Sequence, residues 1–306
     1  MEVLSIVLPV FVMLALGMTC SRMKLISREG MDGIKLLATN IMLPVVLVDA
    51  LGTAEYNATT LLILIVMFVQ LLIALGAGYL FRPLVGGSGK YLPFLTASFE
   101  GGMMGYPLYM AICGTAMLSN IATLDMANCI FTFTVYLALI TATGKGKNSG
   151  RELLNTVLHA PAMYGVAIGM ILGVTGILPK VAASSVGGIY SALVSMITTP
   201  VSALILLCVG YDLQLDRRVL TAAGKSAAIR LVLQAVLLAG VWLILSRFVT
   251  EREMFIAIVL YAFMPPCFMS PLYAVDERDK AYTSTTISLY TLISIAAFTV
   301  LTVVFS

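Results

Sequence analysis

Two short stretches of the sequence combine helix-breaking residues with groups that could bind an ion or a ligand. The first, residues 100–107, begins with Glu100, ends with Pro107 and contains three glycines; the second, residues 265–271, contains three prolines. Proline inside a helix removes a backbone donor and clashes with the carbonyl four residues back, and glycine weakens the helix further. Both stretches are therefore predicted to interrupt a helix and to free backbone N–H and C=O groups.

Freed N–H groups at the start of a helix form a site for an anion. We expect Pro107 and Pro271 each to be the first residue of a new half-helix, where proline's fixed φ is already suitable. Such a helix end carries about half a positive charge, so two facing ends would bind a carboxylate. Ordinary proline kinks are the structural alternative. The candidate substrate-binding residues are Glu100, Gly101, Gly105, Tyr106, Pro107, Pro266, Met269, Ser270, Pro271 and, in the second apolar segment, Asn40.

Glu100 is the one acidic residue well inside an apolar segment. An ionised group at that depth costs about 3 kcal/mol by the lenient scales, so a function is the default interpretation. Glu100 could carry a coupling proton, or its oxygens could bind Na⁺ beside freed carbonyls; a structural acid hydrogen-bonded to broken backbone is the alternative. Asp49, Asp125 and Asp212 lie near segment ends and are expected to reach interfacial water.

The composition places these stretches in a membrane. Of the 306 residues 60% are hydrophobic and 11% are charged, against about 25% charged in a soluble domain, and the mean hydropathy is +1.03. Several apolar runs reach the ~20 residues that a helix needs to cross the bilayer. Strands of a barrel would be about half as long. The sequence therefore predicts an all-α, multi-pass membrane protein.

Apolar runs between charged or Gly/Pro-rich breaks predict ten segments. The first carries Glu2 where a signal peptide would be basic, so we expect it to be retained. The predicted segments are 3–21, 32–52, 58–81, 91–118, 121–143, 155–175, 183–209, 222–246, 254–275 and 281–304.

The basic residues predict the orientation of these segments. With both termini extracytoplasmic, fifteen of the eighteen basic residues fall on the cytoplasmic side, as the positive-inside rule requires. Only Lys180, Arg247 and Arg252 fall outside. The cytoplasmic set is Arg22, Lys24, Arg28, Lys35, Arg82, Lys90, Lys145, Lys147, Arg151, Arg217, Arg218, Lys225, Arg230, Arg278 and Lys280.

The two halves of the chain share features in the same order. Because five segments per half is an odd number, the second half would enter the membrane from the opposite face, as an inverted repeat. Residues 1–143 form the first predicted repeat, 144–154 a cytoplasmic linker and 155–306 the second repeat. The matched features are Pro9 and Gly17 with Pro161 and Gly169, Pro44 with Pro200, Gln70 with Gln234, and Pro107-Leu108-Tyr109 with Pro271-Leu272-Tyr273.

Other classes of function lack their signatures. The sequence has no Gly-x-Ser-x-Gly, no His-Glu-x-x-His and no phosphate-binding glycine loop, so we do not expect an enzyme. It has no basic patch with interleaved aromatic residues, so no nucleic-acid partner is expected. The five cysteines are scattered and are interpreted as packing residues. No cofactor is predicted beyond Na⁺ or H⁺ as a coupling ion.

The chain resembles the auxin efflux carrier family, which includes the plant PIN-formed carriers and bacterial malate or malonate permeases. The resemblance rests on Pro44, the Gly105-x-Pro107-Leu108 pattern, the Pro266-x4-Pro271 spacing and the following Asp276-Glu277. It implies crossed, broken segments four and nine, and a homodimer. It also implies a scaffold of segments one, two, six and seven, with a transport domain of segments three to five and eight to ten that moves to alternate access.

Two residues depart from the family pattern. Glu100 stands where the family usually has asparagine, and Tyr106 is bulkier than the usual aliphatic residue. A carboxylate at that position would repel an anion unless it were protonated or paired with a cation. The same general fold serves sodium-coupled bile acid symporters, in which a glutamate near the crossover helps to bind Na⁺.

The sequence thus predicts a secondary carrier in the inner or plasma membrane. Its expected substrate is a small mono- or dicarboxylate, auxin-like or malate-like, and its expected coupling ion is H⁺ or Na⁺ acting at Glu100. Two alternatives stay open: a sodium-dependent symporter of larger amphipathic acids, and a membrane sensor that binds its ligand without moving it.

Overall fold

The computed structural model describes residues 2–54, 56–144 and 161–305, and all regular structure within them is helical. Residues 145–160 lie outside these ranges; they include Lys145, Lys147, Arg151, the predicted linker after Gly144 and the first residues of predicted segment six. The helices are α1 (Glu2–Arg22), α2 (Arg28–Gly52), α3 (Ala58–Val85), α4 (Leu92–Thr96), α5 (Tyr106–Cys113), α6 (Thr115–Gly144), α7 (Pro161–Val174), α8 (Ile177–Ala182), α9 (Gly187–Asp212), α10 (Leu220–Leu245), α11 (Arg252–Ala262) and α12 (Glu277–Phe305).

Seven of the described helices are long and apolar enough to cross a membrane, namely α1, α2, α3, α6, α9, α10 and α12. Helix α7 is apolar but shorter, and it is the described part of predicted segment six. Predicted segments four and nine are divided into shorter pieces, α4 with α5, and α11 with the residues that follow it. The chain is therefore a multi-pass helical membrane protein.

Helix ends and distortions follow from local sequence. Helix α3 begins with a capping box in which the Asn57 side chain accepts from the backbone N–H of Thr60, and the Thr60 side chain accepts from that of Asn57. Helix α2 contains a π turn at Ala38–Met42, which ends two residues before Pro44. Proline cannot donate to the fourth residue back, and a π turn is one way to absorb that missing bond. Asn40 lies within this turn.

Glycines allow two pairs of helices to approach closely. Helix α1 packs along α9, and α2 packs along α7. A Cβ atom at Gly17 of α1 would fall on the backbone carbonyl of Leu207 in α9, and one at Gly169 of α7 would meet the Leu47 carbonyl of α2 at 2.9 Å. Close backbone contact through small residues is a main means of helix association in lipid.

We expect Gly17→Ala to destabilise the protein, because the methyl group must push α1 away from α9. The free energy of unfolding should fall by about 1–3 kcal/mol, the usual cost of overpacking. The measurement is the melting temperature in detergent, which should be lower. Gly33→Ala is the matched control, since a Cβ atom at Gly33 in α2 meets nothing within 4 Å. Equal melting temperatures for the two variants would contradict the close contact.

Candidate functional site

The interruption of segment four lies between Thr96, the last residue of α4, and the π turn Gly101–Gly105. Glu100 is the N-cap of that turn, which continues directly into α5. Helical structure therefore starts after Glu100 with the π turn, and the α-helix itself, α5, starts at Tyr106, one residue before the predicted start at Pro107. The wider π turn bonds the Tyr106 N–H to Gly101, and this lets Pro107 follow without breaking the helix.

The interruption of segment nine is longer and is not followed by the predicted half-helix. Helix α11 ends at Ala262, residues 263–269 are not helical, and Pro271 lies in a four-residue 3₁₀ turn, Ser270–Tyr273. The prediction of an α-helical start at Pro271 was therefore wrong. Segment nine supplies the site with backbone N–H groups of an irregular chain rather than with a helix end.

The two interruptions lie against each other, and we call this contact the crossover (residues 97–100 with 263–269). The backbone N–H of Glu100 donates to the carbonyl of Pro265 over 2.8 Å. The backbone N–H of Cys267 donates to the Ser98 hydroxyl over 3.1 Å. Backbone groups that each segment leaves unpaired are thus paired with the other segment, as buried polar groups require.

The Glu100 carboxyl group joins both sides of the crossover. Its Oε1 accepts from the backbone N–H of Met103 at 3.3 Å, and its Oε2 accepts from the backbone N–H of Phe268 at 2.7 Å. Because two N–H groups from different segments converge there, the position is suited to an anion. The side chain of Glu100 itself fills it.

Asp125 lies beside Glu100, and the expectation that it reaches interfacial water was wrong. Its side chain is 4% exposed and accepts hydrogen bonds from the hydroxyl of Tyr106 at 3.1 Å, the hydroxyl of Tyr261 at 2.5 Å and the amide of Asn128 at 2.9 Å. A Cβ atom at Gly101 would fall on this carboxyl group, so the glycine allows the half-helix to start there.

The error over Asp125 came from a segment boundary. Predicted segment five starts at residue 121, which places Asp125 near its end. Helix α6 instead starts at Thr115, after a left-handed Gly114 with φ of 78°, so Asp125 lies about three turns inside the helix. The glycine was a usable signal for that earlier start.

Arg230 of α10 is the second site residue that the sequence analysis missed. It was placed among the cytoplasmic charges, but it is 0% exposed. Its guanidinium donates to the carbonyls of Leu95 at 2.6 Å, Ser98 at 2.7 Å and Met264 at 2.8 Å. A basic residue well inside predicted segment eight was a signal of a buried role, because charges at that depth normally have a specific partner.

A cavity of about 790 Å³ reaches the crossover. Of the predicted site residues, those that line it are Asn40, Glu100, Gly101, Tyr106, Met269 and Pro271. Those outside its lining are Gly105, Pro107, Pro266 and Ser270. Ser270 is buried and shares a 2.8 Å hydrogen bond with the Tyr136 hydroxyl, which is a structural role.

Charged side chains line the cavity away from the crossover. Asp212 forms ion pairs with Arg28 at 2.6 Å and with Lys35 at 2.8 Å. Arg28 also pairs with Asp32 at 3.4 Å, so this group contains two cations and two carboxylates. Asp212 is partly exposed, as the sequence predicted. Asp49, the third acid expected at an interface, accepts from the Tyr190 hydroxyl at 2.7 Å.

The described residues offer no resident metal centre. No group of three or more His, Cys, Asp or Glu side chains within the described ranges is arranged to hold a metal ion. Glu100 and Asp125 are the two acids near the crossover, and N–H and O–H donors surround both of them. Both carboxyl groups therefore already have hydrogen-bond partners.

The fold and the site define a multi-pass helical membrane protein whose cavity ends where two broken segments meet, an arrangement found in secondary transporters. Comparison with known proteins identifies the group. The chain belongs to the membrane transport protein family, the family of the auxin efflux and PIN-like carriers, whose pattern matches residues 2–302. No curated protein matches the chain. Its family consists of transporters rather than enzymes.

Proposed function

We propose that this protein is a secondary carrier that moves a small organic acid anion across the cell membrane by alternating access. The observation that carries the proposal is the cavity that ends at the crossover, where N–H groups from two segments converge on Glu100. The substrate is a mono- or dicarboxylate, and the coupling ion, H⁺ or Na⁺, acts at Glu100.

The mechanism follows from competition for the same N–H groups. While Glu100 is ionised, its carboxylate accepts from Met103 and Phe268 and repels a substrate anion. A proton or Na⁺ on Glu100 removes the repulsion and weakens its hold on the two donors, so a substrate carboxylate can bind there. Ion and substrate then bind together, which is the condition for coupled transport.

The surrounding charges would bring the substrate to the site. Lys35 and Arg28 line the same cavity, and each is a cation with which a substrate carboxylate can pair on its way to the crossover. The predicted orientation places both termini outside the cytoplasm and both of these residues on the cytoplasmic side. The cavity therefore opens toward the cytoplasm. The other half of the cycle would open the crossover to the opposite side.

We also propose ten membrane segments in two inverted repeats, residues 1–143 and 155–306. Two observations support the repeat. The matched residues Gln70 and Gln234 meet in a buried hydrogen bond of 3.0 Å. The matched glycines Gly17 and Gly169 both allow a close helix contact. The transport domain would be segments three to five and eight to ten, moving against the scaffold of segments one, two, six and seven in a homodimer.

Uptake into proteoliposomes tests the proposal. A panel of labelled mono- and dicarboxylates is offered under an imposed pH gradient, an imposed Na⁺ gradient or neither, with protein-free liposomes as control. We expect saturable accumulation of at least one small carboxylate that is faster with one of the gradients. Binding without flux would instead identify a sensor. Uptake of only large amphipathic acids with Na⁺ would identify the alternative symporter.

A further inference from the structure

Arg230 has an environment that the proposed transport cycle does not explain. Its side chain is fully buried, and none of the ion pairs among the described residues includes it. Three backbone carbonyls accept its hydrogen bonds in place of an anionic partner. The guanidinium also lies over the rings of Phe99 at 5.1 Å and Tyr290 at 4.8 Å.

These carbonyls form the negative end of the crossover. Leu95 is in the last turn of α4, Ser98 is in the interruption that follows, and Met264 lies just after the end of α11. Carbonyls at a helix C-terminus or in irregular chain have no partner within a helix, so their partial negative charge is available to a cation. In transporters with broken helices, such carbonyls are the groups that coordinate a cation.

We propose that Arg230 is a tethered cation that fills the carbonyl end of the crossover, so that the carrier has no Na⁺ site there and does not depend on Na⁺. A guanidinium that already bonds three converging carbonyls leaves them no role in binding a mobile ion. Glu100 has the opposite role at the N–H end. The crossover thus contains one fixed positive and one titratable negative group.

This inference has a structural and a functional consequence. Arg230 is a positioning residue, because it is attached to α10 and bonds the interruptions of both segment four and segment nine. The functional consequence rests on the proposed transport activity: of the two coupling ions, H⁺ is the one that remains for Glu100. The structural consequence can be tested without any transport measurement.

The test compares melting temperatures of the purified protein in NaCl and in choline chloride at equal ionic strength. The unchanged protein should melt within about 1 °C in the two salts, because it has no Na⁺ to lose. Arg230→Ala and Arg230→Gln should melt lower in choline and regain about 3 °C or more in NaCl, because the vacated carbonyls then bind Na⁺. A merely structural arginine would give no such gain.

Arg218→Ala is the matched control, since Arg218 is exposed and, among the residues that the structure describes, forms its ion pair with Asp216; it should not create a response to Na⁺. A Na⁺-specific stabilisation of the unchanged protein would overturn the proposal, and this comparison stands even if both Arg230 variants fail to fold. Folded variants without a Na⁺ response would overturn it as well. Carboxylate uptake by the unchanged protein should be equal in both salts. A fivefold loss of uptake in choline would contradict the inference. Absence of uptake in both salts would contradict only the proposed function.

Discussion

Glu100→Gln should abolish the response of carboxylate uptake to an imposed ion gradient. Glutamine cannot change its charge, and its single carbonyl oxygen replaces two carboxyl oxygens that accept from Met103 and Phe268. Gradient-driven uptake should fall roughly 10- to 100-fold, the range of an ordinary coupling free energy. Exchange of labelled for unlabelled substrate, which needs no gradient, should persist because the glutamine carries no negative charge that would repel the anion.

The comparison of uptake with exchange separates coupling from simple damage. A misfolded variant loses both activities, whereas a variant that has lost coupling alone keeps exchange. Glu29→Gln is a suitable control, because Glu29 is exposed in the first turn of α2 and lies outside the cavity lining. Full gradient-driven uptake by Glu100→Gln would show that the coupling ion acts elsewhere.

Asp125→Ala should cause the second large effect, on stability as well as on transport. Tyr106, Tyr261 and Asn128 each donate to the Asp125 carboxyl group, and all three are buried. A buried donor left without a partner costs about 1–3 kcal/mol, so three of them should lower the free energy of unfolding by about 3 kcal/mol or more. The start of the half-helix at Gly101 would lose its support too.

Asp125→Asn is the matched variant, because it keeps the shape of the side chain and one accepting oxygen. Its free energy of unfolding should fall clearly less than that of Asp125→Ala, and the melting temperatures of the two variants in detergent would show this. Asp49→Ala offers a second comparison, since the Asp49 side chain accepts from the Tyr190 hydroxyl in a partly buried position. Melting of Asp125→Ala within about 1 °C of the unchanged protein would contradict the role of this cluster.

Much of the crossover could be predicted because proline and glycine act locally. The sequence placed interruptions in segments four and nine, and it singled out Glu100 from its depth in an apolar run. The structure interrupts both segments and brings Glu100 into contact with both. The family resemblance, confirmed over residues 2–302, rested on the same prolines and glycines.

The remaining site features depend on tertiary contacts that a linear pattern does not contain. Whether Pro107 starts a helix or follows a π turn is decided by how the chain pairs with segment nine. The partners of Arg230 are carbonyls of two distant segments, and any residue type could supply them. The partners of Asp125 include Tyr261, which is far away in sequence.

Site-directed thiol labelling tests the central claim, that the cavity ending at the crossover is the substrate site. The five native cysteines, two of which, Cys129 and Cys267, line the cavity, are replaced first. Asn40→Cys then places one thiol in the cavity lining, and Glu29→Cys places the control in the exposed first turn of α2, outside that lining. Labelling uses a membrane-impermeant reagent, with the best-transported carboxylate of the uptake panel as protectant.

We expect the carboxylate, at about ten times its Kd, to slow the labelling of Asn40→Cys roughly 10-fold and to leave Glu29→Cys unaffected. Equal labelling rates of Asn40→Cys with and without the carboxylate would contradict the assignment of this cavity as the substrate site.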